Sequence, residues 1–399
     1  MGLMFLVLMG LVGPSCQRAP VSPDPSAQTA STLIPARFSS RLAWRHLEAL
    51  VAIGPRVTGS AGVDRARSYI EGELRKLHLR VETHTGYIPI PPDGKQGLLV
   101  KNLIAVVPGA SEDLVVLAAP FDTRLTESDS FMGANEGASG AAVLLELARV
   151  LSEDPLPHTT WLVFLDGEAA GETGLGIPSQ GQLGSAALAA SLVEKDLNRR
   201  VLLLTVLTRV GAADLRIARD LRSIRKYRDE FFHAGARLGH GEVFRADLPF
   251  ESPVASHHSF LSSGLRRVVL LSGTAVSADA DPEPDNGEGA IESDTLEDCS
   301  PESLGIVGTV TLEALRAITR QFVRIAGALG QESGEPIEVP LGFSKAANAE
   351  AAQAPPADDS VPEAESSSTE VPSGRQESPE TTAPSMSSDE SALADGGES

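Results

Sequence analysis

Four short stretches of this chain bring together side chains that could do chemistry. In the first, Asp166-Gly167-Glu168 follows directly on the apolar run Trp161–Leu165. A carboxylate at the end of a buried strand can serve as a general acid or base when desolvation lifts its pKa towards neutrality; the plainer alternative is a solvated strand end. In the second, Pro120-Phe121-Asp122-Thr123 follows Leu114–Ala119, and Asp122 is either a site residue or the cap of the next turn. The third, Gly133-Ala134-Asn135-Glu136-Gly137-Ala138-Ser139-Gly140, is a small-residue turn leading into a helix, with Glu136 near a helix N-terminus, where the dipole favours a carboxylate in any case. It matches neither a phosphate loop nor a dinucleotide fingerprint. The fourth, Ser256-His257-His258-Ser259-Phe260, holds adjacent histidines. Neighbours on a helix do not face one point, so at most one of them serves a site, and packing or surface exposure is the competing role.

These stretches need elements to position them. Leu42 to Ile53 and Ala61 to Leu77 have the spacing of amphipathic helices, separated by the breaker Gly54-Pro55-Arg56-Val57-Thr58-Gly59. Leu103–Val107, Leu114–Ala119, Trp161–Leu165, Val201–Val206 and Val268–Leu271 are apolar on both faces, as in parallel strands covered by helices. Helical segments fall between or after them at Ala138–Leu151, Ala186–Val193, Ile224–Leu238 and Pro301–Leu329. The alternation predicts an α/β protein: a three-layer sandwich around a central mixed, mostly parallel sheet. Sites in such sheets lie at the carboxyl ends of strands, where the acidic stretches stand.

In this order the segments resemble the family-28 metallopeptidases, above all the glutaminyl-peptide cyclotransferase branch. Gly54-Pro55-Arg56-Val57-Thr58-Gly59-Ser60 is similar to a family loop, Asn102-Leu103-Ile104-Ala105 to a family strand, and Gly133–Gly140 to its Gly-Ala-x-Asp loop. Phe164-Leu165-Asp166-Gly167-Glu168-Ala169 resembles Phe-Phe-Asp-Gly-Glu-Glu, Leu183-Gly184-Ser185 resembles Tyr-Gly-Ser, and His257–Phe260 resembles Asp-His-x-x-Phe. The resemblance implies a zinc exopeptidase-like fold, one or two zinc ions, export, and either removal of N-terminal amino acids or cyclisation of N-terminal glutamine. It also implies that Glu168 is the catalytic acid/base and that Asp122, Asp166, Thr208 and His257 line the pocket.

The same resemblance shows where the pattern fails. Zinc takes three or four N, O or S ligands. At the family's five ligand positions stand Pro120, Glu136, Ala169, Thr208 and Ala290. Glu136 alone offers a metal-binding side chain. Ser256 replaces the acid before the motif histidine, while Asp294-Thr295 survives from the last motif. The expectation is therefore a metal-depleted, non-catalytic homologue that binds a peptide or protein N-terminus without zinc. The alternative is a divergent metallopeptidase or cyclotransferase working through Glu168.

Composition sets the outer limits. The chain has 399 residues and a formal net charge of −21, which argues against nucleic acid as a partner. Residues 332–399 carry fifteen acidic and two basic residues and few large apolar ones, so residues 331–399 are expected to form a disordered acidic tail. Residues 1–16 read as a signal, with the apolar run Gly2 to Val12 before Cys16. Either Cys16 is lipidated and attaches the protein to a membrane in the cell envelope, or the signal is plain and the protein is secreted. Residues 17–35 read as a tether and 36–330 as the folded domain. Two cysteines, Cys16 and Cys299, exclude a disulfide framework.

Overall fold

Ser39 and Ser60 start the first two helices. In a computed structural model, the Ser39 hydroxyl accepts from the Leu42 N–H at 3.4 Å, and that of Ser60 accepts from Gly62 and Val63. Both supply acceptors that a helix N-terminus lacks. The structure describes residues 37–89, 97–126, 131–169, 171–173, 178–179, 181–250, 255–273 and 294–328. The expected signal, tether and acidic tail lie outside these, as does Ala290.

The helices are α1 (Ser40–Ala52), α2 (Ala61–Lys76), α3 (Ala134–Gly137), α4 (Ser139–Glu153), α5 (Leu183–Glu194), α6 (Arg225–Arg237), α7 (His257–Ser262) and α8 (Pro301–Ala328). The strands are β1 (Arg80–Pro89), β2 (Gly97–Val107), β3 (Ser111–Pro120), β4 (His158–Leu165), β5 (Gly171–Glu172), β6 (Pro178–Ser179), β7 (Val201–Thr208), β8 (Ile217–Asp220), β9 (Phe244–Phe250) and β10 (Val268–Ser272). Six of them form one sheet in the order β1-β2-β4-β3-β7-β10. β4, β3, β7 and β10 run parallel, while β1–β2 and β2–β4 pair antiparallel. The sheet is mixed and mostly parallel. β5 pairs with β6, and β8 with β9, as two small ribbons beside it.

Alternate strand residues feed two cores. Leu103, Leu117, Phe164, Leu207 and Leu271 pack with α1, α2, α4, α6 and α8 on one face. Ile104, Val116, Trp161, Val206 and Leu270 pack with α5 and α7 on the other. Burial on both faces explains why these strands read as unbroken apolar runs. The sequence reading passed over β1. Its Thr83, His84 and Thr85 interrupt the apolar pattern, and it pairs only with β2, at the sheet edge.

The loop after α1 crosses under the sheet's carboxyl ends and carries Arg56, which is fully buried. Its guanidinium donates to five backbone carbonyls: Phe121 O at 2.9 Å, Leu50 O at 3.2 Å, Gly54 O at 3.1 Å, Met132 O at 2.9 Å and Gly133 O at 2.7 Å. Its own N–H donates to Thr123 Oγ1, and its carbonyl accepts from Thr123 N. Burial lowers its pKa to about 10, while Asp122 and Asp294 oppose that shift, so the charge persists at neutral pH. Arg56 thereby ties the ends of α1 and β3 to the turn before α3. Replacing Arg56 with Met would strand these carbonyls, each of which costs about 1–3 kcal/mol when left unpaired in the interior. Urea unfolding of Arg56→Met is expected to show a loss of at least about 3 kcal/mol, with the m-value kept.

Candidate functional site

At the carboxyl ends of β3 and β4, three carboxylates lie side by side. Asp122 and Asp166 are each 1 % exposed. Thr58, from the Arg56 loop, joins them: its hydroxyl lies 3.3 Å from Asp122 Oδ2 and 3.1 Å from Asp166 Oδ1. Asp166 Oδ2 accepts from Arg67 at 2.9 Å and from the Lys101 N–H at 2.9 Å. The Asn102 side chain accepts from Asp166 N and donates to Gly184 O, which fixes the turn after β4 against α5. A Cβ on Gly184 would lie 2.1 Å from Asp166 O, so only glycine permits that approach.

Glu168 turns towards α5 and α7. Its Oε1 accepts from the Ser185 N–H at 2.6 Å, and the hydroxyls of Ser256 and Ser185 also stabilise its charged form. Ser185 Oγ in turn meets Ser259 Oγ at 3.1 Å. Burial outweighs these contacts and pushes the Glu168 pKa up to about 7. Asp122 goes further, to about 8, through burial and then the neighbouring Asp166, while the Ala169 N–H opposes the shift. Burial also raises Asp166, against the pull of Arg67.

Glu136 belongs to a second group. It lies in the short α3, whose second and third N–H groups, of Asn135 and Glu136, donate to the Asp294 carboxylate at 2.6 and 2.9 Å. The Glu136 carboxylate is gripped by two guanidiniums. Arg124 Nε and Nη2 lie 3.1 and 3.4 Å from its two oxygens, and Arg209 Nη2 is 3.4 Å from Oε1. Arg124 also rests over the Phe131 ring at 4.8 Å. A cavity of about 400 Å³ opens here, lined by Asn135, Glu136, Arg209, Asp214, Asp294 and Glu297 among others. Among the described residues, no hydrogen bond or ion pair joins Glu136 to Glu168.

Thr208 ends β7, half-buried, and its carbonyl accepts from Gly273 N at 3.4 Å. His257 is fully buried at the start of α7, with Nε2 3.5 Å from Asp220 Oδ2. Burial acts to raise Asp220, but His257 and Ser223 prevail and hold its carboxyl below the usual range. The described contacts thus pair His257 with β8 rather than with the Asp122–Asp166–Glu168 trio. Arg124 and Arg56 were not singled out from the sequence as site residues. Asp294 had a signal, the surviving Asp-Thr of the last motif. Arg124 had none beyond standing two residues after Asp122.

Residues 102–315 match the sequence profile of peptidase family M28. The chain belongs to this family. Among curated relatives, a bovine glutaminyl-peptide cyclotransferase-like protein is 36% identical over 129 residues, covering 29% of this chain and 32% of that protein. A probable zinc metalloprotease of Pyrenophora teres f. teres is 31% identical over 174 residues, covering 37% and 32%. The matches thus span about a third of the length of these relatives. Among solved structures, an Acidobacteriales bacterium glutaminyl cyclase superimposes with a TM-score of 0.61 at 26% identity, over 76% of this chain and 99% of the other. A Zn-dependent exopeptidase from Parabacteroides distasonis shares the fold with the same TM-score, 0.61, at 22% identity, over 71% of this chain and 99% of that one.

Among the described residues, those that the family resemblance puts at ligand positions do not suit zinc. Pro120 and Ala169 have no donor side-chain atom, Thr208 has only a neutral hydroxyl, and Glu136 is already engaged by two cations. Among the described residues, no three His, Cys, Asp or Glu side chains are placed to share a metal ion.

The raised carboxyl groups link pH to stability. Asp122 stays protonated in the fold up to about pH 8 but ionises near 3.8 in the unfolded chain. The unfolded state therefore binds fewer protons between those values, and stability falls as pH rises through that window. Asp122→Asn, neutral at every pH, is expected to shrink the drop in melting temperature between pH 5 and pH 8 by several degrees, as read by scanning calorimetry.

Proposed function

We propose that this chain is a metal-depleted, non-catalytic member of family M28 that binds a peptide or protein N-terminus at the carboxyl ends of β3, β4 and β7. The observation that carries this reading is the state of the ligand positions: four (Pro120, Ala169, Thr208 and Ala290) hold no usable donor, and the fifth, Glu136, is neutralised from within. Without a metal, nothing at this site polarises a scissile carbonyl or activates water. The relatives named as cyclotransferases and metalloproteases handle peptides, which makes a peptide terminus the ligand class to test first. Export, to the envelope through Cys16 or as a secreted protein, is part of the proposal and rests on the sequence of residues 1–16. Palmitate labelling in a bacterial host that is lost in Cys16→Ala would select the envelope form.

One observation favours a second reading, a divergent hydrolase or cyclotransferase. Glu168, with its pKa pushed up to about 7, is poised for proton transfer at neutral pH. Turnover separates the two. Purified full-length protein, with and without added zinc, is expected to release no arylamine from aminoacyl-arylamides and to cyclise no N-terminal glutamine. Peptides with free N-termini are expected to bind in a fluorescence titration. Turnover that Glu168→Gln abolishes would establish the second reading instead.

A further inference from the structure

We infer that Arg124 and Arg209 stand in for a metal ion: two built-in guanidinium charges hold the Glu136 carboxylate and close its site to divalent cations. The inference rests on the metal-free reading above and adds the device that makes it stable. A carboxylate that has lost its metal is left among like charges, and here Asp294 presses on Glu136 from the N-terminus of α3. Arg124 and Arg209 set two positive charges against Glu136 and Asp294, in a cavity that Asp214, Glu297 and Asp298 also line. A dication placed at Glu136 would lie beside both guanidiniums and would have to expel them.

The geometry is suited to this. Arg124 meets Glu136 with its planar fork, Nε to one oxygen and Nη2 to the other, a match that an ammonium cannot make. Arg124 is braced on the face of Phe131, and Arg209 is set by a left-handed residue conformation (φ 53°) directly after β7. The Arg124, Arg209 and Glu136 side chains are 18, 27 and 19 % exposed, so water screens them only in part. Arg56 spends its donors on carbonyls, and the Asp294 oxygens are held by backbone N–H groups.

A mutant cycle on the full chain tests this. R124Q/R209Q is expected to melt about 4 °C or more below the parent protein at pH 7. Adding E136Q to it is expected to recover most of that loss, because the uncompensated charge is gone. Zinc at tenfold excess is expected to leave the parent's melting temperature unchanged and to give no one-to-one heat of binding. If the double variant does not fold, R124Q alone with E136Q supplies the same cycle. A loss that E136Q leaves untouched would overturn the clamp while sparing the proposal of a peptide-binding homologue. One-to-one zinc binding that E136Q abolishes would overturn both. Failure of peptides to bind, with the cycle intact, would remove only the proposed ligand.

Discussion

The Arg56 guanidinium is the constraint on which the site end of the molecule depends. A buried cation needs compensation, and here it comes from five carbonyl dipoles rather than from one acid. Those carbonyls belong to chain segments far apart in sequence: the end of α1 and its loop, the residue after β3, and the turn before α3. With their positions fixed, Thr58 falls between Asp122 and Asp166, and Gly133 delivers α3 with Glu136. The placement of both carboxylate groups thus depends on one buried cation that hydrogen-bonds to neither.

The two groups of acids solve the same problem in opposite ways. Asp122 and Glu168 sit where burial dominates, and they keep their protons to a much higher pH than free side chains. Glu136 keeps its charge and is matched by arginines. In this chain protonation answers for one and guanidinium pairing for the other. The Ser185 and Ser256 contacts to Glu168 belong to the same settlement, because they lower the cost of charging a carboxylate that is buried away from water.

Much of the fold was legible because both sheet faces are buried. Strands such as Leu114–Ala119 and Trp161–Leu165 announce themselves as unbroken apolar runs, and the helices between them by spacing. β1 was not, since an edge strand with Thr83, His84 and Thr85 looks like loop. Within the site, Asp122, Asp166, Glu168 and Glu136 were visible as acids after strands. Their grouping was not. That Glu136 pairs with Arg124, twelve residues away, depends on Phe131 bracing the arginine, and that His257 faces Asp220 depends on β8, which carries no strong strand signature. Local pattern encodes elements; partners brought in by the packing of short loops leave no periodic trace.

The strand order carries a consequence for how the chain is made. β3 lies between β4 and β7, yet it precedes both in sequence. As the polypeptide emerges from the ribosome, Leu114–Ala119 must wait for His158–Leu165 on one side and for Val201–Thr208 on the other, a delay of some seconds at ordinary synthesis rates. Through that interval one of the most apolar segments of the protein has open edges, the condition in which nascent strands associate wrongly. In a chain with this topology, the interval before both neighbours arrive is the stage most exposed to mispairing, whatever the finished form binds.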